Sequence, residues 1–404
     1  VLSTGSKIAG DGRGLLIQII PAIDFMNTHP DGQGDRGKSA RTIRFWTVLF
    51  AAGFFATLAA ATVAVGGLPS QMTMEALVHG QRIEGTPLFF DASKVFLLTR
   101  NGTMTEFSPS EAQDYHKISE SFSPYPQNML RGMLEQEFGP NYEVSGTQHF
   151  LVVYPKGQRQ WVDRFEDLYR SCVMYFTVRG FHLKAPQFPL VAIVFPTQDD
   201  FRHYAAKDSV PTPAGLLGYY SHKTNRVALF DIGGGRTSSA GWEQNFSTAI
   251  HEASHQTAFN TGIHNRWSPP PKWVAEGLGT MFEARGVNDS RKYGSQQDRI
   301  NRGRLGDFQT IMAKHTPQTL ADMLSSDRIF ETDAISAYAQ AWAFTFFLVE
   351  QMPREYARYL EKTASREPFT LYSSAQRLKD FTDVFGTNLA LLDARFLRFI
   401  KDVK

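Results

Sequence analysis

Cysteine is almost absent from this sequence. Cys172 is the only one in 404 residues, which excludes an intrachain disulfide and any metal cage built from thiolates. It shares a helical stripe with Phe165, Leu168, Tyr169 and Phe176, the setting of a buried structural thiol. Charge of one sign is missing too: 42 basic residues stand against 40 acidic ones, a formal net charge of +2, with no long block of either sign. Nothing in that balance points to nucleic acid. The glycine run Gly233-Gly234-Gly235 lacks the lysine of a phosphate loop and reads as a connection. What remains, 42% hydrophobic and 20% charged, is the composition of a globular protein long enough for two domains.

The stretch that organises the chain is His251-Glu252-Ala253-Ser254-His255, an H-E-x-x-H pattern. On a helix, residues four apart lie one turn above the other, so both imidazoles can reach a single zinc ion with Glu252 beside it. Zinc hydrolysis needs that arrangement: the metal acidifies a water, and a neighbouring carboxylate takes its proton. The flanks read as helix, with Phe246, Ala249, Ile250, Ala253 and Thr257 along one stripe and Gly262 as terminator. The bland alternative is a pair of ordinary histidines on an amphipathic helix.

A third ligand favours the metal. Past Pro269-Pro270-Pro271 a second helix is expected to start near Lys272, with Glu276 on its second turn. Gly277 and Gly279 cost an isolated helix about 1 kcal/mol each, which argues for close packing there. Glu283, seven residues further on, shares a face with Glu276 and is the reserve ligand, with His264 behind it. The longer H-E-x-x-H-x-x-G-x-x-H pattern is excluded by Ala258 and Thr261.

His251-Glu252-x-x-His255 followed by Trp273-Val274-Ala275-Glu276-Gly277 resembles the gluzincin metallopeptidases, the group of thermolysin and the aminopeptidase N type. The likeness is closer to a largely uncharacterised bacterial family of peptidase-MA-like proteins, with similar segments at Gly218 to Val227 and Tyr338 to Ala343. It covers about Ser145 to Lys404. The resemblance implies an α+β, thermolysin-like zincin domain, with a β-containing N-terminal part, a helical C-terminal part and one Zn2+ per chain. His251, His255 and Glu276 would be the ligands and Glu252 the catalytic carboxylate acting on a peptide or protein substrate. It also implies that one strand of the hairpin before the metal helix, Gly218 to Ser221 or Arg226 to Asp231, binds the substrate backbone, the alternative being a structural hairpin. Tyr338 resembles in placement a tyrosine that stabilises the oxyanion in aminopeptidase N type enzymes; a core tyrosine is the other reading.

Upstream, Phe45 to Gly67 is a run of 23 residues without a charge, long enough as a helix to cross the roughly 30 Å hydrocarbon core. Lys38, Arg41 and Arg44 precede it and no charge follows until Glu75, which keeps the N-terminus cytoplasmic and sends the rest outside. The expectation is a single-pass membrane protein, or a secreted or periplasmic one if the segment is cleaved as a signal. Residues 1–44 read as a disordered cytoplasmic tail; Val1 fits a GTG start, or a start set too early with Met26 as the true one. Residues 70–118 read as a small β accessory unit, with Lys94 to Arg100 and Thr103 to Phe107 joined by Asn101-Gly102 and a short helix opening at Ser108. A linker with Ser123-Pro124-Tyr125-Pro126 leads into the domain at 124–404. There, strands at His149 to Tyr154 and Pro189 to Phe195 flank a helix from Val162 to Val178, and helices at Ala334 to Gln351, Arg354 to Lys362 and Asn388 to Ile400 close the chain. The alternative function is a non-catalytic exported binding protein on the same fold with a structural or vestigial metal site.

Overall fold

Two five-stranded sheets and a helical half make up the structure, a computed structural model that describes residues 72–213, 215–235 and 240–404. The tail 1–44 and the apolar run 45–67 lie outside the described residues, among which no helix is long and apolar enough to cross a membrane.

The first sheet is wholly antiparallel, in the order β4-β3-β2-β1-β5. Its strands are β1 (Thr73–Val78), β2 (Gln81–Phe90), β3 (Val95–Thr99), β4 (Met104–Phe107) and β5 (Ala112–Ser119). The turn from β3 to β4 is one residue longer than the expected Asn101-Gly102 connection: Thr99 N–H donates to Thr103 O, so Arg100, Asn101 and Gly102 make a three-residue turn with Gly102 at φ +89°, where a side chain would be strained. Ser108 and Glu111 cap a single 3-10 turn reciprocally. Only β3 and β4 of these strands are expected from the sequence: β5 is largely exposed with few apolar residues, and β2 shows no regular alternation of buried and exposed positions.

The second sheet is mixed, in the order β6-β7-β8-β10-β9: β6 (Tyr142–Gly146), β7 (Phe150–Pro155), β8 (Leu190–Phe195), β9 (Gly218–Ser221) and β10 (Arg226–Phe230). β7, β8 and β10 run parallel, and the outer strands β6 and β9 are antiparallel to their neighbours. The inner strands are covered on both faces, so they read as continuous apolar runs. Phe150, Val152 and Tyr154 of β7 enter one core, Leu151 and Val153 the other. Helices α1 (Gln127–Phe138) and α3 (Gln198–Lys207) cover the second of these faces, and α2 (Gln160–Thr177) the first together with α4 (Ala240–Thr261). Cys172 is buried on α2, and burial pushes its thiol up from the ordinary range.

Helix α4 carries the H-E-x-x-H pattern and ends where Gly262 adopts φ +89°. It is buried on every side from Thr248 to Phe259, which differs from the amphipathic surface helix that periodicity alone suggests. The polar face has turned inward, and buried polar groups need partners. Gln256 Nε2 donates to Val191 O on β8 and to Asn225 O, and Asn260 Nδ2 to Asn225 Oδ1, which fastens one polar flank to the sheet. The other flank faces α5 (Lys272–Phe282).

The rest is helical: α6 (Arg285–Asn288), α7 (Arg302–Ile311), α8 (Pro317–Ser325), α9 (Ile329–Thr332), α10 (Ala334–Gln351), α11 (Pro353–Ala364), α12 (Ser374–Phe385) and α13 (Leu389–Asp402). Asp333 caps α10 through Ser336 N, as its position before the apolar run suggests. Trp273 of α5 is fully buried against Phe344, Tyr359 and Phe381, a burial whose loss costs about 3–5 kcal/mol. Gly277 is what lets α5 approach α10: a Cβ there would stand 2.1 Å from Thr345 Oγ1 and 2.6 Å from Ala341 O. A backbone oxygen cannot swing aside, so Gly277→Ala is expected to destabilise the protein by about 1–3 kcal/mol, the cost of overpacking. Chemical denaturation of the variant beside the wild type checks this; unchanged stability would show that the two helices separate freely.

Candidate metal centre

Helices α4 and α5 meet at His251, His255 and Glu276, three buried residues whose ligand atoms all lie within 4.8 Å of one another. His251 and His255 stack one turn apart with ring centroids 4.6 Å apart. Glu276 Oε2 reaches both, 3.1 Å from His251 Nε2 and 3.6 Å from His255 Nε2. Gly279 makes the approach possible: a Cβ there would fall 2.8–3.1 Å from the His251 ring.

The reserve ligand has a different position. Glu283 Oε1 bonds His251 Nδ1 at 2.9 Å, on the side of the ring away from Glu276, so it orients the imidazole instead of completing the cluster. Its other oxygen accepts from Asn301 Nδ2 at 2.8 Å, and Asn301 in turn caps α7. The seven-residue spacing put Glu276 and Glu283 on one face, but which ring nitrogen each would meet depends on the tertiary approach. His264 stays outside the cluster, its ring against Phe259 and both nitrogens buried without a partner.

Burial alone would discharge His251, yet hydrogen bonds to Glu276 and Glu283 override it and raise its pKa to about 10 in the metal-free chain. Glu276 is desolvated too, but the His251 and His255 contacts hold its carboxyl well below the usual range. His255 has no such second carboxylate, and burial pushes it down. Its Nε2 is buried without a hydrogen-bond partner. Glu252 is buried as well, its Oε2 unpartnered, and desolvation pushes it up to about 7, opposed by the His251 charge and by the nearby Tyr220 backbone N–H. Tyr338, on the first turns of α10, is buried with its ring 6.3 Å from His251. Burial and the nearby Glu276 and Glu252 charges hold its hydroxyl well above the ordinary range, and the Arg304 guanidinium lies 5.2 Å from its ring.

Two buried acceptors without a protein partner, beside a carboxylate and a second imidazole, form a poor arrangement for a metal-free protein. The donor set, two nitrogens and a carboxylate oxygen, fits zinc with one position left open.

Residues 245–370 match a family described as a protein of unknown function (DUF1570). No curated protein matches the chain. Among solved structures it is similar to a two-domain M1 zinc metallopeptidase mutant bound to L-arginine, at 13% identity and a TM-score of 0.36, covering 64% of this chain and 51% of that one. It is also similar to an M1 zinc metallopeptidase from Deinococcus radiodurans, at 14% identity and a TM-score of 0.33, covering 65% and 50%. A mutant from that organism bound to a Tyr-Ser-Ala substrate matches at 12% identity, TM-score 0.36, covering 65% and 52%. The chain thus spans about half the length of these solved structures.

Two outcomes follow from the geometry. Because the folded pKa of His251 is raised, its pairing with Glu276 and Glu283 stabilises the metal-free chain fully below the ordinary imidazole value of 6.5 and is lost as pH rises through about 10. Thermal melts after chelation are expected to fall over that window; a flat profile would show that His251 is neutral throughout. Glu283→Gln keeps an acceptor but removes the charge behind His251, and is expected to weaken zinc binding about 10- to 100-fold, read by competition with a chromogenic chelator.

Proposed function

We propose that the chain is a zinc-dependent peptidase, with the metal held by His251, His255 and Glu276. The observation that carries this reading is the convergence of those three ligand atoms within 4.8 Å at a site where His255 Nε2 and Glu252 Oε2 are buried without partners. Zinc, when bound there, supplies Lewis acidity that acidifies a water and polarises a peptide carbonyl. The chain's own residues do the rest. Glu252, with a carboxyl pushed up to about 7 by burial, takes the proton of the attacking water and hands it to the leaving amine. Tyr338, protonated at any ordinary pH, donates its O–H to the developing oxyanion. Glu283 and Asn301 hold the His251 ring in one tautomer.

The substrate backbone is assigned to β9. Of the two strands before the metal helix only β9 is at an edge, β10 being paired on both sides. Phe230 N–H donates to Leu217 O, so the bonded pairs across β9 and β10 fall at Leu217, Tyr219 and Ser221. The N–H and C=O groups of Gly218 and Tyr220 therefore face outward, and Tyr220 N–H meets Glu252. An extended peptide added along this edge brings its carbonyl past the metal centre with main-chain hydrogen bonds and little sequence preference. Export or membrane anchoring through residues 45–67 belongs to the same proposal and rests on the uncharged run alone.

Glu252→Gln is expected to lower kcat by about 10²–10⁴-fold while one zinc per chain is retained, measured by metal analysis beside hydrolysis of a quenched-fluorescent peptide library. Tyr338→Phe is expected to cost about 10²-fold in kcat at unchanged KM. A wild type that binds zinc but cleaves nothing would favour the non-catalytic binding protein.

A further inference from the structure

The first sheet is not set apart from the metal domain. Its β3–β4 turn is fixed to the segment that follows β9: Met104 N–H donates to Lys223 O at 2.8 Å, and Arg266 joins the two by donating to Gly102 O at 2.7 Å, to Lys223 O at 2.8 Å and to His222 O. Arg266 is buried and meets carbonyls only, apart from the face of Trp267. A guanidinium is a costly way to satisfy carbonyls, and what its fork provides is a fixed geometry between three backbone segments. A second attachment lies at Phe89 and Phe96, whose rings pack on Phe369, itself stacked on Trp267.

Fixing the sheets in this way sets two sheet edges side by side. Thr99 N–H donates to Thr103 O, so the bonded pairs of β3 and β4 fall at Thr103, Thr105 and Phe107, and the backbone groups of Met104 and Glu106 face away from β3. Met104 N–H uses that outward side to reach Lys223. Beyond this contact a cavity of 1040 Å³ is lined on one side by Met104 to Ser108 and on the other by Tyr220 to Lys223. Charges around it are mixed, with Lys94 already paired to Glu106 at 3.1 Å, so the cavity selects no side-chain charge. Two strand edges flanking one open space, one of them reaching Glu252 through Tyr220, offer main-chain donors and acceptors on both sides of whatever lies between.

We propose that β4 is the second wall of the substrate cleft: an extended, unfolded polypeptide segment lies between the outward edges of β9 and β4 and hydrogen-bonds to both. This rests on the peptidase reading and narrows it, because a substrate held on two edges must be several residues long and unstructured, with its main chain recognised in preference to its side chains. Folded proteins and dipeptides are excluded by the same geometry. At about 3.3 Å per residue, the four residues of β4 match a segment of about four to six residues.

The test uses the full zinc-loaded chain. Glu106→Pro removes one outward N–H without touching a ladder bond, since proline is tolerated at such an edge position; Glu106→Ala removes the same side chain and keeps the N–H. Loss of one main-chain hydrogen bond is expected to raise KM for unstructured octapeptides about tenfold in the proline variant relative to the alanine variant, at equal zinc content. In parallel, hydrogen exchange of Glu252→Gln with an excess of octapeptide is expected to show protection at both Met104–Ser108 and Gly218–Ser221. That readout decides the matter even if the proline variant does not fold. Protection confined to Gly218–Ser221, with cleavage intact, overturns the β4 wall and leaves the peptidase standing. Protection at both edges with no cleavage by wild type keeps the two-edge cleft and removes the enzyme. No protection at either edge and no cleavage overturn both.

Discussion

A single imidazole fixes the arrangement of the centre. His251 is bonded at Nε2 by Glu276 and at Nδ1 by Glu283, two carboxyls from one helix spaced two turns apart. For both to reach the same ring, α5 must cross α4 with almost no side chain between them. Gly279 meets that requirement against the ring, and Gly277 meets the corresponding one on the other side of α5, against α10. Each glycine is unfavourable for the helix by itself, at about 1 kcal/mol relative to alanine, and the tertiary contacts offset that cost. The local penalty and the site are thus one feature seen at two levels.

The rotation of α4 follows from the same need to place polar groups. A helix buried from Thr248 to Phe259 has no solvent face on which to put seven polar side chains, so any atom without a partner inside is left unsatisfied. Gln256 Nε2 and Asn260 find theirs on β8 and at Asn225, and the Thr248 and Ser254 hydroxyls donate to carbonyls of the preceding turn, while Gln256 Oε1 and the Thr257 hydroxyl are buried without a partner. The residues left over are the histidines and Glu252, whose partners lie on α5 and at the edge of the sheet. His255 Nε2 and Glu252 Oε2 are among the buried atoms without a partner, and a cation held by the histidines would relieve that penalty.

How much of this was legible depended on whether the signal was local. The histidine spacing, the proline entry to α5, the Asp333 cap and the position of the β3–β4 turn are decided within a few residues, and they stand in the structure where the sequence puts them. Glu283 was legible as a residue on the right face but not in its bond to Nδ1, since two carboxyls on one helix face differ only in what the facing helix presents. β5 was not legible because its stability comes from pairing across the sheet and not from an apolar pattern, whereas β1 carries a short alternation, Met74, Ala76 and Val78, that could have been recognised. α1 and α3 were missed for a related reason: each buries only two residues, although Thr197 and Asp200 give α3 a cap that could have been recognised. Arg266 had no sequence signal at all, because its acceptors are carbonyls, which every residue carries.

On the proposed reading the chain recognises its substrate through backbone groups. Recognition through backbone groups leaves little trace in side-chain identity, so the edge of β9, the outward side of β4 and the arginine that fixes them are invisible to a reading based on motifs. The metal ligands are the opposite case, because only a few side chains can hold zinc and their spacing is set by the helix. A metal centre written in side chains and a strand edge written in main chain differ in how they tolerate change. Substitutions along β4 and β9 that keep the strands leave the hydrogen-bonding edges in place, whereas almost any change at His251 or Gly279 alters the centre. On that reading the fold confines chemical precision to the α4–α5 contact and leaves recognition to geometry that many sequences can supply.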